Sequence, residues 1–152
     1  LELLLVGGFR KGDARVVQGR AYSDFETILP IECKRLPTPT GAKRDEREYV
    51  ITNLGVGGGI QRYKEGKHGM AHVRAALIGY VQEHSFDHWL SMIGGWIQDL
   101  CTAGTPGWSP SDALVLEVQD AVTGIAVHES VHSRVNLPDI HVRHLWIKMA
   151  NE

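Results

Sequence analysis

Residues 28 to 39, "ILPIECKRLPTP", read as a short apolar strand that carries a Glu and a Lys two positions apart. Side chains alternate between faces in an extended chain, so Ile31 and Cys33 point one way and Glu32 and Lys34 the other. One face, with Ile31 and Cys33, is expected to be core, and the other to hold an acid beside a base. Pro37, Pro39, Gly41 and the charge cluster "KRDER" at 43 to 47 then predict an exposed loop.

The chain has 152 residues, 43% hydrophobic and 22% charged, which suits one domain, 1–152, with a real core. No apolar run approaches the roughly 18 residues of a membrane span, and no basic-then-apolar leader opens the sequence. A cytoplasmic protein without a membrane partner is expected. Cys33 and Cys101 stand apart from any disulfide framework and read as buried free thiols. A net charge of -2 provides no global basic field. Half of the 16 Lys and Arg nevertheless fall between Lys34 and Lys67, against four acids. A solvated loop face accounts for such a run as readily as a binding patch does.

Further along, "LELLLVGG" (1–8) and "ARVVQGRAY" (14–22) read as strands that form an antiparallel meander with "LPIECKRL" (29–36). "GVGGG" (55–59) lacks the Gly-x-Gly-x-x-Gly order of a dinucleotide site and is expected to be a hinge or tight turn. In "MAHVRAALIGYVQEH" (70–84), Val73, Leu77, Ile78 and Val81 fall at helical spacing. The series Phe86, Trp89, Leu90, Ile93, Trp96, Ile97 and Leu100 predicts a second amphipathic helix with its aromatics in the core. "TAGTPGWSPSD" (102–112) is a loop, and "ALVLEVQ", "GIAVHESVHSRV" and "IHVRHLWIKM" are three closing strands. Strands, helices, strands make an α/β or α+β fold with a mixed sheet.

Hydrolysis of a phosphodiester with a metal requires carboxylates to hold the ion, a poised water and a cation that orients the water or stabilises developing charge. A Glu and a Lys on one strand face, about 7 Å apart by strand rise, can share such a site. Glu32-Cys33-Lys34 matches the Glu-x-Lys half-motif of the PD-(D/E)xK, or restriction-endonuclease-like, nuclease superfamily. "REYV" (47–50), "GGIQRYKEGKHG" (58–69), "LIGYV" (77–81) and the tail "SVHSRVNLPDIHVRHLWIKM" (130–149) are similar to a pattern in bacterial members of that superfamily.

The resemblance implies a mixed sheet flanked by helices and a Mg²⁺- or Mn²⁺-dependent nuclease acting on DNA. It implies that Glu32, an upstream acid and the backbone carbonyl of Cys33 hold the metal, and that Lys34 positions or helps deprotonate the attacking water. Glu2 is the favoured upstream acid, ahead of Asp24, which also suits a turn cap, and Asp13, which suits a hairpin turn. Arg62, Tyr63, Lys67 and His68 would contact the substrate. Members of the superfamily generally carry an N-terminal helix for which this chain has no room, so a missing segment, a homodimer or partner chain supplying that element, or a degenerate site is expected. The competing expectation is a non-catalytic module of the same fold that binds nucleic acid or a protein.

The histidines argue against zinc. His128 and His132 share a strand face with Ser130 and Arg134 but are about 13 Å apart by strand rise, too far to grip one ion. Hydrogen-bonding roles are expected, with His132 and Arg134 the ones to reach a cleft.

Overall fold

The structure, a computed structural model, describes residues 15–17, 19–22, 27–41, 44–54 and 57–150. Its elements are β1 (Arg15–Val17), β2 (Arg20–Tyr22), β3 (Ile31–Leu36), α1 (Gly59–Lys64), β4 (Arg74–Val81), α2 (Phe86–Thr102), a 3-10 turn (Pro110–Asp112), β5 (Val115–Asp120), β6 (Ile125–Arg134) and β7 (Leu137–Lys148). A mixed five-stranded sheet runs in the order β3-β4-β7-β6-β5, and β1 and β2 form a separate hairpin. β3 and β7 each pair parallel to β4, whereas β5, β6 and β7 form an antiparallel meander. The class is α+β.

Three expectations are corrected. β3 does not continue a meander from the single strand expected at 14–22, which is instead the β1–β2 hairpin, and the strand expected at 1–8 lies outside the described residues: β3 pairs parallel with β4, in the register Glu32 with Leu77 and Lys34 with Gly79. Such a pairing needs a crossover, and the segment containing α1 supplies it. The stretch at 70–84 is strand β4 rather than a helix. Ala75, Leu77 and Val81 are buried at alternating positions, while Val73, which helical spacing placed in the core, is half exposed. Val73, Leu77, Ile78 and Val81 satisfy both periods loosely, and packing decided for the sheet.

The faces of β3 are also reversed. Glu32 and Leu36 are buried and Lys34 is half-buried, whereas Ile31 is 48% exposed and Cys33 is exposed. Cys33 is therefore neither core-facing nor a buried thiol, and Cys101 is only partly covered. Leu36 sets this orientation, since it is fully buried and alternation carries Glu32 and Lys34 inward with it.

α2 forms as its periodicity predicts. Ser85 caps it by accepting a hydrogen bond from the His88 amide at 3.1 Å, and Asp87 lies in the first turn, where the helix dipole favours an acid. Phe86, Trp89, Ile93, Trp96, Ile97 and Leu100 are buried, with Leu90 packed beside them. The inner faces of the strands add Leu36, Leu77, Val81, Ala126, Ile140, Val142 and Trp146, and Tyr49, Val50 and Ile51 complete the core. Among the described residues no helix is long and apolar enough to cross a membrane.

Two glycines in these elements have opposite tolerances. A Cβ on Gly79 would lie 2.6 Å from Trp146 Cδ1, whereas one on Gly95 in α2 would meet nothing within 4 Å. Gly79→Ala should destabilise by about 1–3 kcal/mol through overpacking, and Gly95→Ala should stabilise by about 0.5–1 kcal/mol through helix propensity. Urea denaturation of both variants checks the pair, and equal effects would mean that the β4–β7 packing is looser than described.

Candidate functional site

α1 organises the site because its residues 62, 63 and 64, about 100° apart on a helix, go to three destinations. Its approach is tight. Gly57 has a φ of +80°, as the expected turn requires, and a Cβ on Gly58 would lie 2.4 Å from the Ile51 backbone. The Gln61 side chain accepts hydrogen bonds from the Gly58 and Thr52 amides, tying the helix start to the preceding loop.

Arg62 reaches β3. Its Nη1 lies 3.3 Å from Glu32 Oε1, Lys34 Nζ lies 3.0 Å from the same oxygen, and His68 Nδ1 lies 3.3 Å from Oε2. One buried carboxylate thus has cationic or hydrogen-bonding partners on both oxygens, and with His68 neutral the group carries one excess positive charge. Glu32, Lys34, Arg62 and His68, picked out from the sequence, are brought together here. Burying a carboxylate is costly unless it is paired, and these partners are what allow the inward orientation of β3.

Tyr63 takes a different part from the one expected. It is fully buried, donates to the Ala76 carbonyl at 2.8 Å and stacks on His68 with ring centroids 5.2 Å apart. A side chain without solvent access cannot offer itself to a substrate, so Tyr63 anchors α1 to β4 and backs the His68 ring. Lys67 is not at Glu32 either. It is exposed and ion-paired with Glu65. Arg134 supports the same region, donating to the carbonyls of Gly69 (3.2 Å), His72 (2.9 Å) and Pro138 (2.6 Å). It holds the turns that follow α1 rather than opening onto a cleft.

Lys64 goes inward to Asp112, a contact the sequence did not suggest. From Asp112 a hydrogen-bonded chain crosses the inner sheet face. His132 Nδ1 lies 2.6 Å from Asp112, Ser130 Oγ lies 2.7 Å from both His132 Nε2 and His144 Nε2, His144 Nδ1 lies 2.8 Å from the Tyr49 hydroxyl, and the Trp146 indole donates to that hydroxyl at 2.7 Å. An ionised Asp112 only accepts, so with neutral imidazoles one proton order satisfies every link: Trp146 to Tyr49, Tyr49 to His144, His144 to Ser130, Ser130 to His132, His132 to Asp112. The Asp-His-Ser spacing has the form of a nucleophilic triad, but Ser130 is 4% exposed and donates within a closed chain. Its role is structural, and so is that of His132, which is fully buried and does not reach the cleft expected of it.

Burial pushes His144 well down and His132 down, Lys64 adding to the latter, while hydrogen bonds from His132 and Lys64 lead the interactions that hold Asp112 low against its own burial. His128, beside them, is fully buried against Trp146 with neither ring nitrogen hydrogen-bonded among the described residues, and desolvation lowers it to about 4. Among the described residues no three acid, His or Cys side chains converge to hold a metal ion. Glu32 is the single carboxylate of its site there, and Glu2, Asp13 and Asp24 lie outside the described residues.

The three buried histidines set an acid limit. Their folded pKa values lie below the unfolded value of about 6.5, so the unfolded chain binds more protons and stability falls as pH drops below that value. Between pH 7.5 and 5.5 the loss should reach up to about 1.4 kcal/mol per histidine in urea titrations. His128→Leu, which removes no hydrogen bond, should flatten the dependence by one proton without loss of stability at pH 7.5. A pH-independent midpoint would mean that these imidazoles are not buried as neutral groups. No protein-family model, curated protein or solved structure matches the chain.

Proposed function

We propose that the protein is a Mg²⁺- or Mn²⁺-dependent nuclease acting on DNA, with Glu32 and Lys34 at its reacting centre. The observation that carries this reading is the placement of Lys34 Nζ 3.0 Å from Glu32 Oε1 on the inner face of β3, with Arg62 entering from α1. An acid, an amine and a guanidinium meet there with an excess positive charge suited to a phosphodiester.

The Glu32 carboxylate fits a hard cation, and the resemblance adds the Cys33 carbonyl. Both offer oxygen only, and Mg²⁺ takes one or two carboxylates while keeping several waters. Glu2 is the further acid expected from the sequence. The metal, when bound, supplies Lewis-acid polarisation of the phosphoryl group and a more acidic water. Lys34 orients that water and offsets charge developing on phosphate. Arg62, whose contact with Glu32 is long for a charge-assisted hydrogen bond, transfers its guanidinium to a phosphate oxygen when substrate enters. His68 keeps the second Glu32 oxygen oriented, its ring held against Tyr63.

A second reading is a DNA-binding module without hydrolysis. The full pairing of Glu32 by Lys34, Arg62 and His68 favours it. Nicking of supercoiled plasmid in Mg²⁺ or Mn²⁺ separates the two. Glu32→Ala and Lys34→Ala should each lower the rate by at least about 100-fold, and EDTA should abolish it. Binding without metal-dependent cleavage by the wild type would remove the nuclease reading and leave the module.

A further inference from the structure

A cationic cleft includes Lys34 in its lining. It has a volume of about 410 Å³ and is lined by Cys33, Lys34 and Arg35 of β3, Arg44 and Glu48 of the following turn, and Tyr80 of β4. Its lining carries three cations and one acid. Arg44 is held by Glu48 at 2.7 Å and Lys34 by Glu32 at 3.0 Å, whereas Arg35 is exposed and has no acid partner among the described residues. Tyr80, the register partner of Arg35 on β4, lines the same cleft and supplies its one aromatic side chain.

The volume matches a small-molecule-sized ligand, and the lining dictates its chemistry. Two arginines offer fork-shaped donors to phosphate oxygens, and the aromatic side chain offers a surface to a base. Lys34 belongs to both this cleft and the Glu32 cluster, so the two are contiguous. We infer that the cleft holds a nucleotide unit of the DNA strand next to the phosphodiester at Glu32, its phosphate on Arg35 and Arg44 and its base against Tyr80. This rests on the DNA-directed reading above. It adds a strand path over the edge of β3, from the Arg62 side to the Arg44 side, with Lys34 at the crossing.

Binding of a fluorescein-labelled single-stranded 12-mer, measured by anisotropy in EDTA over a range of salt, tests the path without requiring cleavage. Arg35→Ala and Arg44→Ala should each reduce the magnitude of the log K against log salt slope by about 0.7, the value for one phosphate contact on a single strand. Arg143→Ala removes a cation paired with Glu117 and Glu129 on another part of the sheet and should leave the slope unchanged. Tyr80→Ala should weaken binding at least about fivefold, and Tyr80→Phe should retain it. Unchanged slopes in both arginine variants, or no binding by the wild type, would overturn the inference. So would competition by free dAMP that matches the oligonucleotide, since the cleft would then be a mononucleotide pocket and not part of a strand path. Arginine-dependent slopes in a protein that never nicks DNA would keep the cleft and discard hydrolysis, while nicking with unchanged slopes would do the reverse.

Discussion

The buried carboxylate of Asp112 ties together parts of the molecule that otherwise share few contacts. It receives Lys64 from α1, His132 from β6 and the Ser109 amide from its own turn. Removing one partner from a buried, hydrogen-bonded charge costs about 3–5 kcal/mol, far more than an exposed ion pair contributes. A six-residue helix has little stability of its own, so the position of α1 depends on what its side chains reach. Lys64 and Tyr63 fasten it to the interior, and Arg62 on the same helix is thereby delivered to Glu32.

Much of this architecture was legible in the sequence where periodicity was long and unmixed. α2 repeats its apolar residues over four turns behind a Ser cap, and burial alternates along the whole of β6 and from Asp139 to Ile147 in β7. β4 was not legible, because "RAALIGYV" is apolar almost throughout. A strand between two others in a parallel arrangement is expected to lose the alternation that distinguishes it from a helix. Gly79 was the available signal, since a strand glycine marks a close approach, here of Trp146.

The site was legible in its members and not in its orientation. Alternation correctly set Glu32 and Lys34 on the face opposite Ile31 and Cys33, but hydropathy assigned the wrong face to the interior. A buried Glu is compatible with folding only when counter-charges from elsewhere in the chain meet it, and Arg62 and His68, 30 and 36 residues away, could not be placed from spacing. Asp112 was missed for a related reason. "SPSD" reads as an exposed loop, yet Ser109 and Asp112 form a reciprocal cap, and an Asp three residues after a Ser, with a Pro between them, is the local pattern that marks it. The remote partners that draw Asp112 inward leave no local trace.

Two polar systems of different character therefore meet at α1. The Asp112 chain is closed, since every donor from Trp146 to His132 has its acceptor. A proton added to His132 would reverse the order back to Tyr49 and leave that hydroxyl without its acceptor. The Glu32 cluster is open by comparison. Its contacts are 3.0 to 3.3 Å long, and the Arg62 and His68 side chains are about one-third exposed. A closed network rigidifies a fold, whereas the Glu32 cluster leaves the side chains of Arg62 and His68 partly open to solvent. Rigidity on one side of α1 and partly exposed charge on the other is the arrangement that lets a short helix hold an arginine at Glu32 without unfolding the element that carries it.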